Sequence, residues 1–355
     1  MGNAPLYHQI ATDLKNLIFS KELPPHAKLP TELELSKAYG VSRITSKRAL
    51  TELENEKLIY RVRGKGSFVC NHDASQEQFV SNNILLVLPF PNNPDVGNYA
   101  QGILNFLQGS PYHLHVQSHD YLQTIGMDVL LRDYGGLILY PLSSNSHLDF
   151  FYPLHLLGFP LVLLDKQIEG LPVPTIASDN FQGGYLAAQA LLESGRQKLS
   201  FLSFSQMEQT SSVRNRFLGF MKALSDSGLP LNEEHLRLSL HAESSQQEFF
   251  DEIAARLKDN GMTGVVAEND ICAIHLMKAL KTVGLKIPED IALIGFDNIQ
   301  ASSLVEPSLS TVEQDFNQIG HLAAQILVAL MEKKKKVPTP NPVPVQLILR
   351  ESTKH

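Results

Sequence analysis

Apolar residues recur along this chain with two different periods, and the change between them divides it. Ile10, Leu14, Leu17 and Ile18 fall at helical spacing and predict a helix over 6–20 with one buried stripe. Pro24-Pro25 ends the connection that follows. A second helix opens at Thr31, where Glu34 three residues on completes a capping box, and it carries Leu33, Leu35 and Ala38. Gly40 breaks it. Ser42 caps a third helix running to about residue 56, with Ile44, Ala49, Leu50 and Leu53 as the expected inner positions. Two short strands, 58–61 and 67–69, then flank the glycine-rich tip Arg63-Gly64-Lys65-Gly66.

Residues 71–83 are polar and aperiodic, as a linker would be. From 84 onward apolar runs alternate with helical patterns. Strands are expected at 84–88, 113–116, 137–140 and 161–165, with helices over 98–108 and through 156. A second set follows: helix 184–193, strand 199–202, helix 213–225, a strand near 236–240, helix 246–260, strand 264–267, helix 271–283 and strand 291–296. A long helix over 314–332 and a last strand over 345–350 close the chain. Continuous apolar strands between helices mean a parallel sheet covered on both faces. The expected fold class is therefore α/β: an N-terminal winged helix-turn-helix over 1–70, a linker over 71–83, and a two-lobed domain of doubly wound parallel sheets over 84–355. Two such halves in tandem leave a cleft between them, and ligands bind beyond the carboxyl ends of the strands.

Charge sharpens this division. The net charge of −7 is the sum of +4 on residues 1–70 and −11 on the rest, so only the head is built to meet a polyanion. No run of 18 or more apolar residues occurs, and the sequence does not open on a charged-then-apolar leader pattern, so a cytoplasmic protein with no membrane contact is expected. Cys70 and Cys272 lie far apart without metal-ligand spacing, which fits a reducing compartment and predicts no metal and no cofactor. No G-x-S-x-G, H-E-x-x-H or phosphate-loop pattern is present, so an enzyme is not expected. The run Lys333 to Lys336 reads as a solvated helix end whose cations complement the helix dipole.

The head has the layout of a major-groove reader: helix, glycine turn, and a second helix basic in its first turns. Arg43, Thr45 and Lys47 occupy positions that reach base edges, and Arg43 suits a guanine through its O6 and N7. Lys47 and Arg48 are positioned for phosphates, although Arg48 could instead pair with Glu52 four residues on. Arg63, Lys65 and Gly66 sit on the wing. Tyr7 is read as core or rim packing.

These residues resemble the winged-helix domain of the GntR family of bacterial transcription regulators. The match runs through Pro5-Leu6-Tyr7 with Gln9-Ile10, Leu29-Pro30-Thr31-Glu32, Val41-Ser42-Arg43 with Thr45, Arg48-Ala49-Leu50, and Gly64-Lys65-Gly66-Ser67-Phe68-Val69. The sequence departs from the pattern where Leu33 replaces a common DNA-contacting Arg, Lys47 a common Arg, and His26 and Lys57 usual glycines. The resemblance implies DNA contacts from Ser42, Arg43, Thr45, Lys47, Arg48, Arg63, Lys65 and Gly66.

Residues 84–353 resemble the sugar-sensing domain of the LacI/GalR repressors. Ser178-Asp179-Asn180 with Gly183-Gly184, Arg214 to Phe220, Ala267-Glu268-Asn269-Asp270, Ile287 to Ile291, Ile294-Gly295-Phe296-Asp297, Leu309 to Val312 with Gln314-Asp315, and Leu349 to Thr353 carry this. The resemblance implies that Arg216, Asn269, Asp297 and Gln314 face a ligand. Asp165, at a strand end, is a fifth ligand-binding candidate. Each of these carboxylates and amides could instead hold a turn or hinge. Arg214 is expected to brace the lobes, Asp179 to hold a turn or the ligand, and His241 to pack. Together the two resemblances imply a repressor of a carbohydrate-use operon. It would act as a homodimer on a palindromic double-stranded operator, and a monosaccharide would release it. Alternatives are a co-repressing or activating ligand, or a nucleoside.

Overall fold

A computed structural model describes residues 6–19, 22–24, 27–56, 58–62, 66–70, 81–89, 98–144, 147–205, 207–229, 237–238, 246–334, 338 and 340–353. His26, Lys57, Arg63, Gly64, Lys65, His241, Lys335, Lys336 and the linker segment 71–80 lie outside the described residues. The chain separates into two compact units, Met1–Gln78 and Phe79–His355.

In the first unit α1 (Leu6–Phe19), α2 (Glu32–Tyr39) and α3 (Arg43–Asn55) precede the antiparallel strands β1 (Ile59–Val62) and β2 (Gly66–Val69). The capping box forms: the Glu34 N–H donates to the Thr31 hydroxyl, and the Thr31 N–H donates to the Glu34 carboxylate at 2.7 Å. That bond holds the Glu34 carboxyl below its ordinary range. Gly40 then takes φ 62°, a left-handed conformation that ends α2 and turns the chain into α3. Ala27 and Leu29 add a short third strand to the wing, bonding Val69 and Ser67 at 2.9 Å each. The core joins Ile10, Leu14 and Ile18 of α1 to Leu35 of α2, Ala49, Leu50 and Leu53 of α3, and Ile59 and Val69 of the wing.

One expected core residue lies elsewhere. Ile44 is 80 % exposed. Residues on a helix step by about 100°. The buried stripe of α3 is Ser46, Ala49, Leu50 and Leu53, which leaves Ile44 on the opposite side. Leu33 and Ala38 also point outward, because Leu35, with Tyr39 beside it, takes the inner side of the short α2.

The second unit has two sheets. The first contains β3 (Asn83–Leu88), β4 (His113–Ser118), β5 (Gly136–Leu139), β6 (Leu161–Leu164) and β7 (Thr175–Ile176), in order β4-β3-β5-β6-β7 and all parallel. The second contains β8 (Leu199–Leu202), β9 (Arg237–Leu238), β10 (Gly264–Ala267), β11 (Ala292–Asp297), β12 (Ser310–Gln314) and β13 (Val345–Ile348). Its order is β13-β12-β11-β10-β8-β9, parallel except for the antiparallel edge strand β13. Helices cover both faces of each sheet, which is why β3, β5, β6 and β10 read as apolar runs. One face of the first sheet carries α4 (Tyr99–Leu107) and a long C-terminal helix; the other carries α5 (His119–Thr124), α6 (Met127–Asp133) and α7 (Leu148–Leu156). The second sheet is covered by α8 (Asn180–Glu193) and α9 (Ser211–Asp226) on one face. On the other lie α10 (Gln246–Asp259) and α11 (Asp270–Thr282). A short α12 (Gln300–Leu304) precedes β12, and the long helix is α13 (Phe316–Met331).

Several elements differ from the sequence expectation, among them the short helices α5 and α12, which it did not contain. Gln314 ends strand β12 and does not begin the long helix, whose cap is Asp315, accepting from the Gln318 N–H at 2.8 Å. Strand β7 was not anticipated either; two residues are too few to carry a period. The chain passes between the sheets three times: after β7, after β12 and before β13. Two of these crossings are stitched together, since Val343 bonds Ala177 and Asp179 at 2.9 and 2.8 Å. Among the described residues no helix is long and apolar enough to cross a membrane.

Candidate functional site

The exposed side of α3 gathers the expected reading residues. Ser42 caps the helix, accepting from the Thr45 N–H at 3.2 Å, and its hydroxyl lies 2.8 Å from that of Thr45. Arg43 is exposed and donates to Glu32 at 3.3 Å; the same carboxylate lies 3.7 Å from Arg61. Lys47 is exposed. Arg48 is also exposed but does not pair with Glu52. Its guanidinium lies 3.9 Å above the Tyr7 ring and donates to the Tyr7 hydroxyl at 3.3 Å, while Glu52 lies 3.6 Å from His8. A cation over an aromatic face holds α1 to α3 here. Gly66 is the first residue of β2, opposite Val62.

In the second unit Asp165, Arg216, Asn269, Asp297 and Gln314 all line one cavity of about 80 Å³ between the lobes. Arg216, on α9, is 5 % exposed and is its hub. Its Nε donates to Asn180 at 2.8 Å, one η nitrogen donates to the Glu268 carbonyl, and the guanidinium stacks 3.7 Å from the Phe296 ring. Its remaining reach joins the two sheets: 4.0 Å to Asp165 at the end of β6 and 3.7 Å to Asp297 at the end of β11. Arg216 thus spans the lobes, the bracing role expected of Arg214. Asp179 is a turn residue, capping α8 by accepting from the Gln182 N–H at 2.9 Å.

Both carboxylates are held in backbone that non-glycine residues avoid, with φ 64° at Asp165 and φ 112° at Asp297. Such positions cost on the order of 1–3 kcal/mol and persist where surrounding bonds enforce them. Here Asp165 accepts from Tyr140 at 3.1 Å and Ser212 at 3.0 Å, and Asp297 from the Gln314 amide. Burial pushes the Asp297 carboxyl up to about 7; Arg216 opposes the rise without cancelling it. Burial likewise lowers the Lys166 ammonium, against the pull of Asp165. The phenols of Tyr99 and Tyr140 are pushed up by burial and by Asp165, so they stay protonated and serve as donors. Asn269 caps α11, accepting from the Cys272 N–H at 2.8 Å, which leaves its amide nitrogen near Glu268. Its neighbour Asp270 is fully buried and structural, tying α12 and β12 through Ser302, Thr311 and the Ile299 N–H. Gln314 presents a buried carbonyl oxygen with no partner among the described residues.

The model of the bacterial regulatory proteins of the gntR family matches residues 6–69, and that of the periplasmic binding protein-like domain matches residues 188–353. The chain carries a GntR-type DNA-binding head joined to a periplasmic-binding-protein-like domain. It is 27 % identical to the arabinose metabolism transcriptional repressor of Geobacillus stearothermophilus, over 99 % of this chain and 98 % of that protein. It is 26 % identical to the HTH-type transcriptional regulator DegA of Bacillus subtilis, over 91 % of this chain and 98 % of that one. A LacI-family transcriptional regulator from Enterococcus faecium, solved with bound ribose, superposes with a TM-score of 0.65 at 26 % identity. The match covers 76 % of this chain and 98 % of that one.

The periplasmic-binding-protein-like domain places further residues in its cleft. Tyr99, Tyr140, Lys166, Thr210, Ser212 and Phe316 line the same cavity. Tyr140 follows β5 and Lys166 follows Asp165 at β6, so the rule that ligands bind at strand carboxyl ends could have found both. Tyr99 and Phe316 begin helices far apart in sequence, and their rings meet at 5.0 Å only in the fold. The lobes are closed on the cavity: Ser144 bonds Gln209 at 2.7 Å, and Gln167 bonds Ser211 at 3.0 Å.

Proposed function

We propose that this chain is a transcription repressor whose head binds a palindromic operator as a homodimer, and whose cleft binds a single neutral sugar ring that releases it. The observation that carries the ligand class is the mixture of groups around the cavity. Arg216, Lys166 and the two phenols donate; Asp165, Asp297 and the free Gln314 oxygen accept. A sugar hydroxyl both donates and accepts, so a polyol can satisfy such a wall where a purely anionic or apolar ligand cannot. Tyr99 and Phe316 give the ring's C–H face an apolar floor. By volume the cavity holds roughly five to eight waters, room for one ring and not for two. Ser42, Arg43, Thr45, Lys47, Arg48 and Gly66, with Arg63 and Lys65, are the residues assigned to DNA; Asp165, Arg216, Asn269, Asp297 and Gln314, with Lys166, are assigned to the ligand.

Similarity along the whole chain to the arabinose metabolism repressor supports the repressor reading, and the ribose bound to the Enterococcus faecium regulator supports a pentose-sized ligand. A ligand bridging Asp165 and Asp297 would favour the closed lobes and change how two heads sit on two half-sites. A thermal-shift screen of free pentoses and hexoses tests the ligand: one sugar is expected to raise the midpoint by mass action. A sugar that binds yet leaves operator affinity unchanged sinks the release mechanism.

A further inference from the structure

We propose that Ile44 reads a thymine in the operator through its C5-methyl group. The inference rests on the reading that α3 enters the major groove, and it adds a base preference to that reading. Among the described residues Ile44, at 80 %, is the most exposed large apolar side chain. It stands in the first turn of α3 between the exposed Arg43 and Lys47, two residues after the Ser42 cap.

Nothing inside the protein calls for isoleucine there. The helix buries its opposite side, and β-branched residues are poorer helix formers than alanine. Covering an aliphatic group that stands in water among polar and cationic neighbours is favourable in proportion to the area covered. The same carboxylate, Glu32, that holds Arg43 at 3.3 Å brings the start of α2 to the start of α3, and Leu33, the next residue, is 52 % exposed. The reading end of the head thus presents aliphatic surface among cations.

A major groove offers little for such a surface to contact. Base edges there present hydrogen-bond donors and acceptors, and the thymine methyl is the apolar exception. Isoleucine cannot hydrogen-bond, so it rewards thymine and leaves the polar edges of other bases unsatisfied. Its χ1 is held to essentially one rotamer in a helix, so the contact has a fixed position. Arg43 and Ile44 on one turn would read adjacent bases, a guanine and a thymine.

The test uses the full-length protein and a duplex that it selects from a random-sequence library. Each thymine of that duplex is replaced in turn by uracil, which removes only the methyl group. For the unaltered protein one replacement per half-site is expected to weaken binding about 3- to 10-fold, the worth of one buried methyl. In Ile44→Ala the same replacement is expected to change nothing, while the thermal midpoint stays put because the side chain is exposed. Three results overturn the proposal: no replacement weakens binding, the sensitivity persists undiminished in Ile44→Ala, or it is lost instead in Leu33→Ala. If the library yields no preferred duplex, the major-groove reading fails and takes this inference with it.

Discussion

Asp297 is the residue at which the chemistry of the cleft can be read by pH. Its carboxyl is pushed up to about 7, chiefly by burial. A sugar hydroxyl donating to it favours the ionised form, so affinity for the sugar should rise as pH goes from 6 to 8. Asp297→Asn should flatten that rise, which calorimetric titration at several pH values would reveal. Stability runs the other way. The fold favours protonated Asp297, so its contribution is largest below the ordinary carboxyl range and is lost as pH rises through about 7. Urea midpoints at pH 5 and pH 8 should therefore differ less in Asp297→Asn than in the unaltered protein. That Asp297, Arg216, Asn269 and Gln314 gather at one place was legible by resemblance: all four line the cavity. Lys166 was missed, although its place after a strand end points to it; that its ammonium is drawn inward over the Tyr140 ring, 4.6 Å away, is set by the fold.

At the level of elements, the cleft depends on how closely helices approach. Gly184 on α8 faces the backbone of Arg216: a Cβ there would fall 1.9 Å from the Arg216 carbonyl oxygen. That approach is what brings Asn180 and Arg216 within hydrogen-bond distance. Gly184→Ala should push α8 from α9, cost roughly 1–3 kcal/mol, and weaken sugar binding as well. Chemical denaturation and ligand titration of the same variant check both; unchanged affinity in a destabilised variant would separate the helix contact from the site. Element type was legible wherever a strand or helix was long enough to show its period, as with β3, β10, α10 and α13. It was misjudged where one period met another. Gln314 ends β12 one residue before the cap of α13, and the helical spacing after it masked the five-residue strand that it closes. Ile44 is a different case: the 100° step sets it opposite Leu53, so its outward place follows from the helix itself and not from its apolar side chain.

For the whole molecule the claim is a coupling between two units, and coupling is reciprocal. If the sugar lowers operator affinity, the operator must lower sugar affinity by the same factor, expected within about 5- to 150-fold. Titrating operator with and without sugar, and sugar with and without operator, should give equal factors. Unequal equilibrium factors would mean that a third component, such as subunit association, enters the cycle. By itself the sequence determined the division into a basic head and an acidic two-lobed body, because charge and periodicity are local properties that survive without a partner in space. It also determined the helix caps at Thr31 and Ser42, since a cap needs only three neighbouring residues. Tertiary structure alone decided that Asp165, Arg216 and Asp297 meet, that Tyr99 and Phe316 share a floor, and that Arg48 rests on Tyr7. Those contacts join residues tens to hundreds of positions apart. Those of the cleft depend on where three crossings place one sheet against the other, and no local pattern encodes that.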